Sequence, residues 1–104
     1  MKGTKTIYND SNYTLLCNGS ECMVSFHISS LTIKKWTNFI NSTVLKNYTE
    51  FLPPYNAWGN CRYHLTAVLV RTDGGVEVHN QSSWDADNTY IDGSVTYPMK
   101  NPYI

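Results

Sequence analysis

Charge is what this sequence has least of. Asp, Glu, Lys and Arg make up only 15% of its 104 residues, and eight basic residues cancel eight acidic ones. No block of like charge occurs and the basic residues do not cluster beyond Lys34-Lys35, so the electrostatic footprint of a nucleic-acid binder is missing. Alanine is scarce at three residues. The good helix formers (Ala, Glu, Leu, Met, Gln, Lys, Arg) total 25, against 38 β-branched or aromatic residues, which argues for a mainly β domain. No apolar run is long enough to cross a bilayer, and the opening MKGTKTIYND holds no apolar stretch of signal-peptide length, so the chain reads as a soluble mature domain that inserts in no membrane. The Cys and His residues never form the two close ligand pairs of a structural zinc site. A nucleophile elbow, a phosphate-cradling glycine loop and a zinc-protease helix motif are all missing, and so is any long internal repeat. Nothing here specifies a reaction, and no metal or cofactor is implied.

What is abundant is β-type patterning. Arg62 to Asn80, RYHLTAVLVRTDGGVEVHN, brings two β-rich runs together at Asp73-Gly74, a strong hairpin signal. A two-residue turn there sets Leu69 opposite Val78 and Val68 opposite His79, and puts Ala67, Leu69, Val76 and Val78 on one core-facing side. Val68 and Val70 on the other side mark this hairpin as central, covered at least in part on both faces. A second hairpin is predicted for Tyr13 to Cys17 and Cys22 to Ile28, about the loop Asn18-Gly19-Ser20-Glu21. It sets Tyr13 opposite Phe26, Leu15 opposite Val24 and Cys17 opposite Cys22, so that one face is consistently apolar. A Cys17–Cys22 disulfide is then geometrically allowed. A bridge from Cys61 to either cysteine, or three free thiols, are the alternatives.

Elsewhere, Thr4 to Ile7 reads as a short strand and Asn9 to Asn12 as a turn. Ser29 to Asn47 is the one helix candidate: Ile33, Trp36, Ile40 and Val44 recur at helical spacing behind a serine cap, although the propensity is poor. Pro53-Pro54 ends that region, YNAWGN (55–60) is a turn-rich loop, Gln81 to Gly93 is a polar loop, and Val95 to Tyr97 a last short strand before Pro98 and Pro102. One domain is expected over residues 1–104, burying roughly two-thirds of its unfolded surface. The fold class is a single antiparallel, mainly β domain, sandwich-like or barrel-like, with at most one helix near residues 29–47. The alternative is α+β, with that helix on an antiparallel sheet.

Ile7-Tyr8 through Tyr13, with Ile28-Ser29-Ser30-Leu31 and Trp36, resembles a βγ-crystallin Greek-key motif. Leu15 stands where that family has glycine, and Ser25-Phe26 stand where its calcium-binding Asn/Asp pair belongs, so no calcium site carries over. Trp36, Phe39 and Ile40 followed by His64-Leu65, Asp73-Gly74, Val76 and Ser82-Ser83 resemble the opening helix and first hairpin of profilin, over less than half of the chain. Two incompatible resemblances on neighbouring stretches assign no family.

Six of the eleven asparagines open an Asn-x-Ser/Thr triplet: Asn9, Asn12, Asn18, Asn41, Asn47 and Asn80. Chance gives about two, so the excess fits an extracellular glycoprotein surface, or an Asn/Thr-rich surface in a host that does not glycosylate. Either reading favours a secreted or cell-surface protein. The stretch Trp84 to Gly93 is the richest candidate site. Trp84 offers a face for a sugar ring, beside Asp85, Asp87, Asn88 and Tyr90, which can pair with its hydroxyls; the same oxygens suit a calcium ion poorly, without the glycine and bidentate Glu of an EF-hand loop. Tyr55 and Trp58 form a second aromatic candidate. The expected function is non-catalytic recognition of a glycan or an extracellular protein. A small hydrolase, such as a ribonuclease using His27, His64 or His79 with Glu50, Glu77 and Arg62, is the rival, and a small-molecule sensor domain is a third reading. In the register above, His64 and His79 share a face but stand roughly 13 Å apart, too far for one reacting centre.

Overall fold

The computed structural model describes residues 3–61 and 66–103. Strict alternation builds its first part. In β2 (Tyr13–Cys17) and the first half of β3 (Glu21–Ile33), every second side chain from Tyr13 to Ile28 is buried. The pairing is Tyr13 with Phe26, Leu15 with Val24 and Cys17 with Cys22, as the apolar face requires. Asn18 closes the turn by accepting hydrogen bonds from the Ser20 and Glu21 amides at 3.0 and 2.8 Å. Cys17 and Cys22 are joined by a disulfide, and Cys61 is free. A bridge closing so short a loop contributes about 2 kcal/mol through chain entropy. Strand β1 (Lys5–Asn9) adds to β2 through a bulge between Thr6 and Tyr8.

Residues 29–47 do not form the expected helix. β3 runs on to Ile33, Thr37 donates to the Lys34 carbonyl at 3.1 Å to make a turn, and β4 (Asn38–Asn41) follows. Ile33, Trp36 and Ile40 suit a helical period in spacing, but Thr, Ile and Val favour extended backbone, Asn is a weak helix former, and pairing with other strands decides the outcome. An irregular segment, 42–56, holds only a single 3-10 turn at Thr49–Phe51. Then come β5 (Ala57–Cys61), β6 (Thr66–Val70), β7 (Val76–Asn80) and β8 (Ala86–Pro98). The stretch read as a polar loop, Gln81 to Gly93, is therefore strand from Ala86 onward, and the short strand expected at Val95 to Tyr97 is the end of this 13-residue β8.

The eight strands of the described residues form one antiparallel sheet in the order β1-β2-β3-β8-β5-β6-β7-β4, curled into a half-barrel rather than stacked as two sheets. The molecule measures 44 × 21 × 20 Å. Its core is the inner face: Leu15, Val24, Phe26, Ile91, Val95 and Tyr97 from one half, and Val68, Val70, Val76 and Val78 from the other. Segment 42–56 closes the open side with Leu45 and Leu52, tied down by Leu45 N donating to the Gly74 carbonyl at 3.0 Å and by the Tyr97 hydroxyl donating to the Phe51 carbonyl at 2.7 Å.

The β6–β7 hairpin is present but slipped by one residue. Val68 faces Val78 and Leu69 faces Glu77, because the loop has three residues, Thr72-Asp73-Gly74. Gly74 N donates to the Arg71 carbonyl at 3.1 Å and Arg71 N to the Gly75 carbonyl at 2.8 Å, with Gly74 at φ +92°. Asp-Gly suits this type I turn followed by a left-handed glycine as well as it suits the two-residue turn. The slip turns β6 over: Val68 and Val70 join the core, and Ala67 and Leu69 move to the outer face.

Gly74 carries two constraints, since an added Cβ would also lie 2.6 Å from the Lys46 backbone. Gly74→Ala should therefore lose about 2–4 kcal/mol in urea denaturation, the left-handed penalty plus overpacking. Gly3→Ala, where a Cβ meets nothing within 4 Å, should stay within about 0.5 kcal/mol of the native protein.

Candidate functional site

One end of the molecule is built around a buried amide. Asn80, 2% exposed, closes β7. Its Nδ2 donates to the Ile33 carbonyl at 3.0 Å and to the Trp84 carbonyl at 2.8 Å, and its Oδ1 accepts from Ser82 N and Ser82 Oγ at 3.0 and 2.7 Å. Its backbone N–H adds a bond to the Thr37 carbonyl at 3.0 Å. The β3–β4 turn and the β7–β8 loop are thus fixed to each other. Asp85 fixes them again: Oδ1 accepts from Lys35 N at 2.9 Å, and Lys34 Nζ lies 3.6 Å from Oδ2. On these two tied loops stand Trp36 and Trp84, 67% and 74% exposed.

The residues expected around Trp84 divide by role. Asp85 serves as the clamp just described. Asn88 sits at φ +49° where the β3–β8 pairing shifts register; its N donates to Thr32 Oγ1 at 3.0 Å and its Oδ1 accepts from Ser30 Oγ, so it shapes the strand. Asp87 is exposed, and its backbone carbonyl accepts from Thr89 Oγ1 at 3.2 Å. Tyr90 lies farther along β8, 56% exposed. Trp36, read from spacing as the apolar side of a helix, is the residue that sequence reasoning missed. The signal available was its setting, Lys34-Lys35 before it and Thr37-Asn38 after it, which is turn-like and polar.

A trough of about 470 Å³ opens on the outer face of β3, β8 and β5, lined by Met23, Ser25, His27, Asn60, Asp92 and Ser94 over the backbone around Gly93 and Cys61. The strand register creates it, pairing Ser25 with Ser94, His27 with Asp92 and Asn60 with Ser94. It needs glycine where β5 meets β8: a Cβ on Gly59 would lie 2.0 Å from the Ser94 carbonyl oxygen, and one on Gly93 2.4 Å from that of Asn60. Trp58, two residues before Asn60, is 53% exposed and packs edge-on against the His79 ring at 4.9 Å. Tyr55 is exposed in the bend before β5 and lines neither the trough nor the two tied loops.

His79 meets one half of what a hydrolase needs. Its Nε2 lies 2.6 Å from Glu77 Oε1, and Arg71 reaches Glu77 Oε2 at 3.2 Å and Asp73 at 2.8 Å. Both Glu77 oxygens are thereby engaged, and the largely covered group does not line the trough. His64 and Arg62, the other proposed participants, lie outside the described residues. Among the described residues no group of three His, Cys, Asp or Glu side chains could hold a metal ion, and no helix is long and apolar enough to cross a membrane. Compared with known proteins, the chain matches no family model, no curated protein and no solved structure.

The hydrogen bond from the Lys35 amide, aided by the Lys34 charge and opposed by partial desolvation, holds the Asp85 carboxyl below the ordinary range. A depressed folded pKa means that the clamp is complete at neutral pH and is lost only as pH falls through that value. The Lys35 amide proton shift, followed by NMR, should therefore stay flat from pH 7 to about 4.5 and then move with a midpoint below the usual Asp value of about 3.9. Asp85→Ala should abolish the titration.

Proposed function

We propose that this protein is an extracellular, non-catalytic recognition module that binds a glycan through the end carrying Trp36 and Trp84. The observation that carries this reading is the pair of exposed indoles on loops already held by Asn80 and Asp85. A mobile aromatic loop must be ordered on binding, whereas a fixed one presents its ring at little further entropic cost. Sugars need a flat apolar face beside polar groups, and here exposed Lys35, Thr37, Asn38 and Asp87 stand within three positions of one or other ring along the chain. Lys34 and Lys35 balance Asp85 and Asp87, which favours a neutral ligand over an anionic one. A protein partner would instead favour a desolvated aromatic centre within an apolar patch.

The Cys17–Cys22 disulfide fits an oxidising compartment. Exposed Asn9, Asn12 and Asn47 leave room for glycosylation, but Asn80 does not, because both its amide atoms are buried and bonded.

A glycan array and thermal melts of the native, Trp84→Ala and Trp36→Ala proteins test the reading. Each substitution should weaken binding by about 1–3 kcal/mol, on the order of 5- to 150-fold, as loss of an aromatic anchor does. Melting temperatures should stay close to native. An array silent for the native protein, or a loss of about 3–5 kcal/mol of stability on truncating either ring, would mean that these rings are not a binding site.

A further inference from the structure

We infer that the trough across β3, β8 and β5 is a second binding site, which takes an oligosaccharide laid lengthwise between Tyr90 and Trp58. It rests on the glycan-recognition reading above, and extends it from two loops to a face of the sheet.

Shape comes first. The trough falls within the usual 300–1,000 Å³ range of ligand sites, and its walls are side chains of three hydrogen-bonded strands, a more rigid mounting than loops. Among the described residues its lining offers hydroxyls from Ser25 and Ser94 and the Asn60 amide, a mixed set of donors and acceptors, beside His27, whose Nε2 lies 3.3 Å from the Asp10 carbonyl oxygen.

Position then selects a chain over a single ring. Strand alternation puts Tyr90, Asp92 and Ser94 of β8 on the outer face, together with Trp58 and Asn60 of β5. Since Asn60 pairs with Ser94, Tyr90 lies beyond one end of the polar lining and Trp58 beyond the other, roughly 20 Å apart at strand rise. Both rings are about half exposed. Trp58 is also held in place: His79 packs against it, Glu77 holds His79, and Arg71 holds Glu77. An extended peptide is disfavoured at the polar lining, because Ser25, Ser94 and Asn60 are each paired with a strand on both sides and leave no free edge there.

The test is a two-dimensional amide NMR titration of the folded chain with maltohexaose, cellohexaose and chitohexaose, each beside its disaccharide, and with a heparin-derived hexasaccharide as the anionic control. At least one neutral hexasaccharide should perturb Ser25, His27, Asn60, Asp92 and Ser94, and bind about tenfold or more tighter than its disaccharide. Trp58→Ala and Tyr90→Ala should each weaken it by roughly 5- to 150-fold, while Trp58→Phe and Tyr90→Phe, which keep a stacking face, should hold most of the affinity and show that the fold survives. Perturbation confined to the Trp36 and Trp84 loops, with both alanine variants binding as native, would overturn the trough and leave the glycan module standing. Equal perturbation of the trough by the heparin fragment would mark the shifts as unselective and overturn the site. Silence of every neutral hexasaccharide would sink both readings, whereas trough shifts without any change at Trp36 or Trp84 would keep this site and dismiss the end of the molecule.

Discussion

A single sheet with one apolar face and no partner sheet has to cover that face with itself. Valines, leucines and aromatics on the inner side of β2, β3, β6, β7 and β8 are removed from water only because the sheet curls, and the curl dictates much else. Where β5 meets β8 there is no room for a Cβ at Gly59 or Gly93. The side left open by the half-barrel is filled by segment 42–56, which contributes Leu45 and Leu52 without regular structure of its own, so its backbone must be tied at Gly74 and Tyr97.

The same demand explains which parts of the fold were legible in advance. In Tyr13 to Ile28 the alternation is unbroken, and only one register places all the apolar residues on one side; the hairpin and the Cys17–Cys22 pair follow directly. The β6–β7 hairpin was legible as a hairpin but not in register. Val68 and Leu69 are both apolar, so either setting offers an apolar face, and Asp73-Gly74 fits loops of two lengths. Residues 29–47 misled because Ile33, Trp36 and Ile40 satisfy a helical period by accident, with a turn at Lys34–Thr37 between two strands. Ala86 to Gly93 looked like a loop since its acid and amide groups mask the alternation of buried Ala86, Thr89 and Ile91, broken once at Asn88.

The candidate sites were legible only one residue at a time. Trp84, Tyr90 and Trp58 stand out by type, and exposed aromatics among polar neighbours are a local property of sequence. What surrounds each ring is not local. Asn60 meets Ser94 across 34 positions of chain, and Lys35 meets Asp85 across 50. Nothing in the intervening sequence states those distances; they arise from the strand order, in which β8 is inserted between β3 and β5.

Asn80 carries a consequence for how the chain is made. Asn80-Gln81-Ser82 is an acceptor triplet whose amide and hydroxyl are both consumed in holding the β7–β8 loop. In a secretory route that glycosylates, the modifying enzyme meets the chain while it is still unfolded, and a sugar on Asn80 would remove an N–H that the loop requires and leave carbonyls at Ile33 or Trp84 unmet. Maturation there becomes a race between closure of one loop and attachment of one glycan. The triplet is compatible with this fold where closure is faster, or where that chemistry does not occur at all.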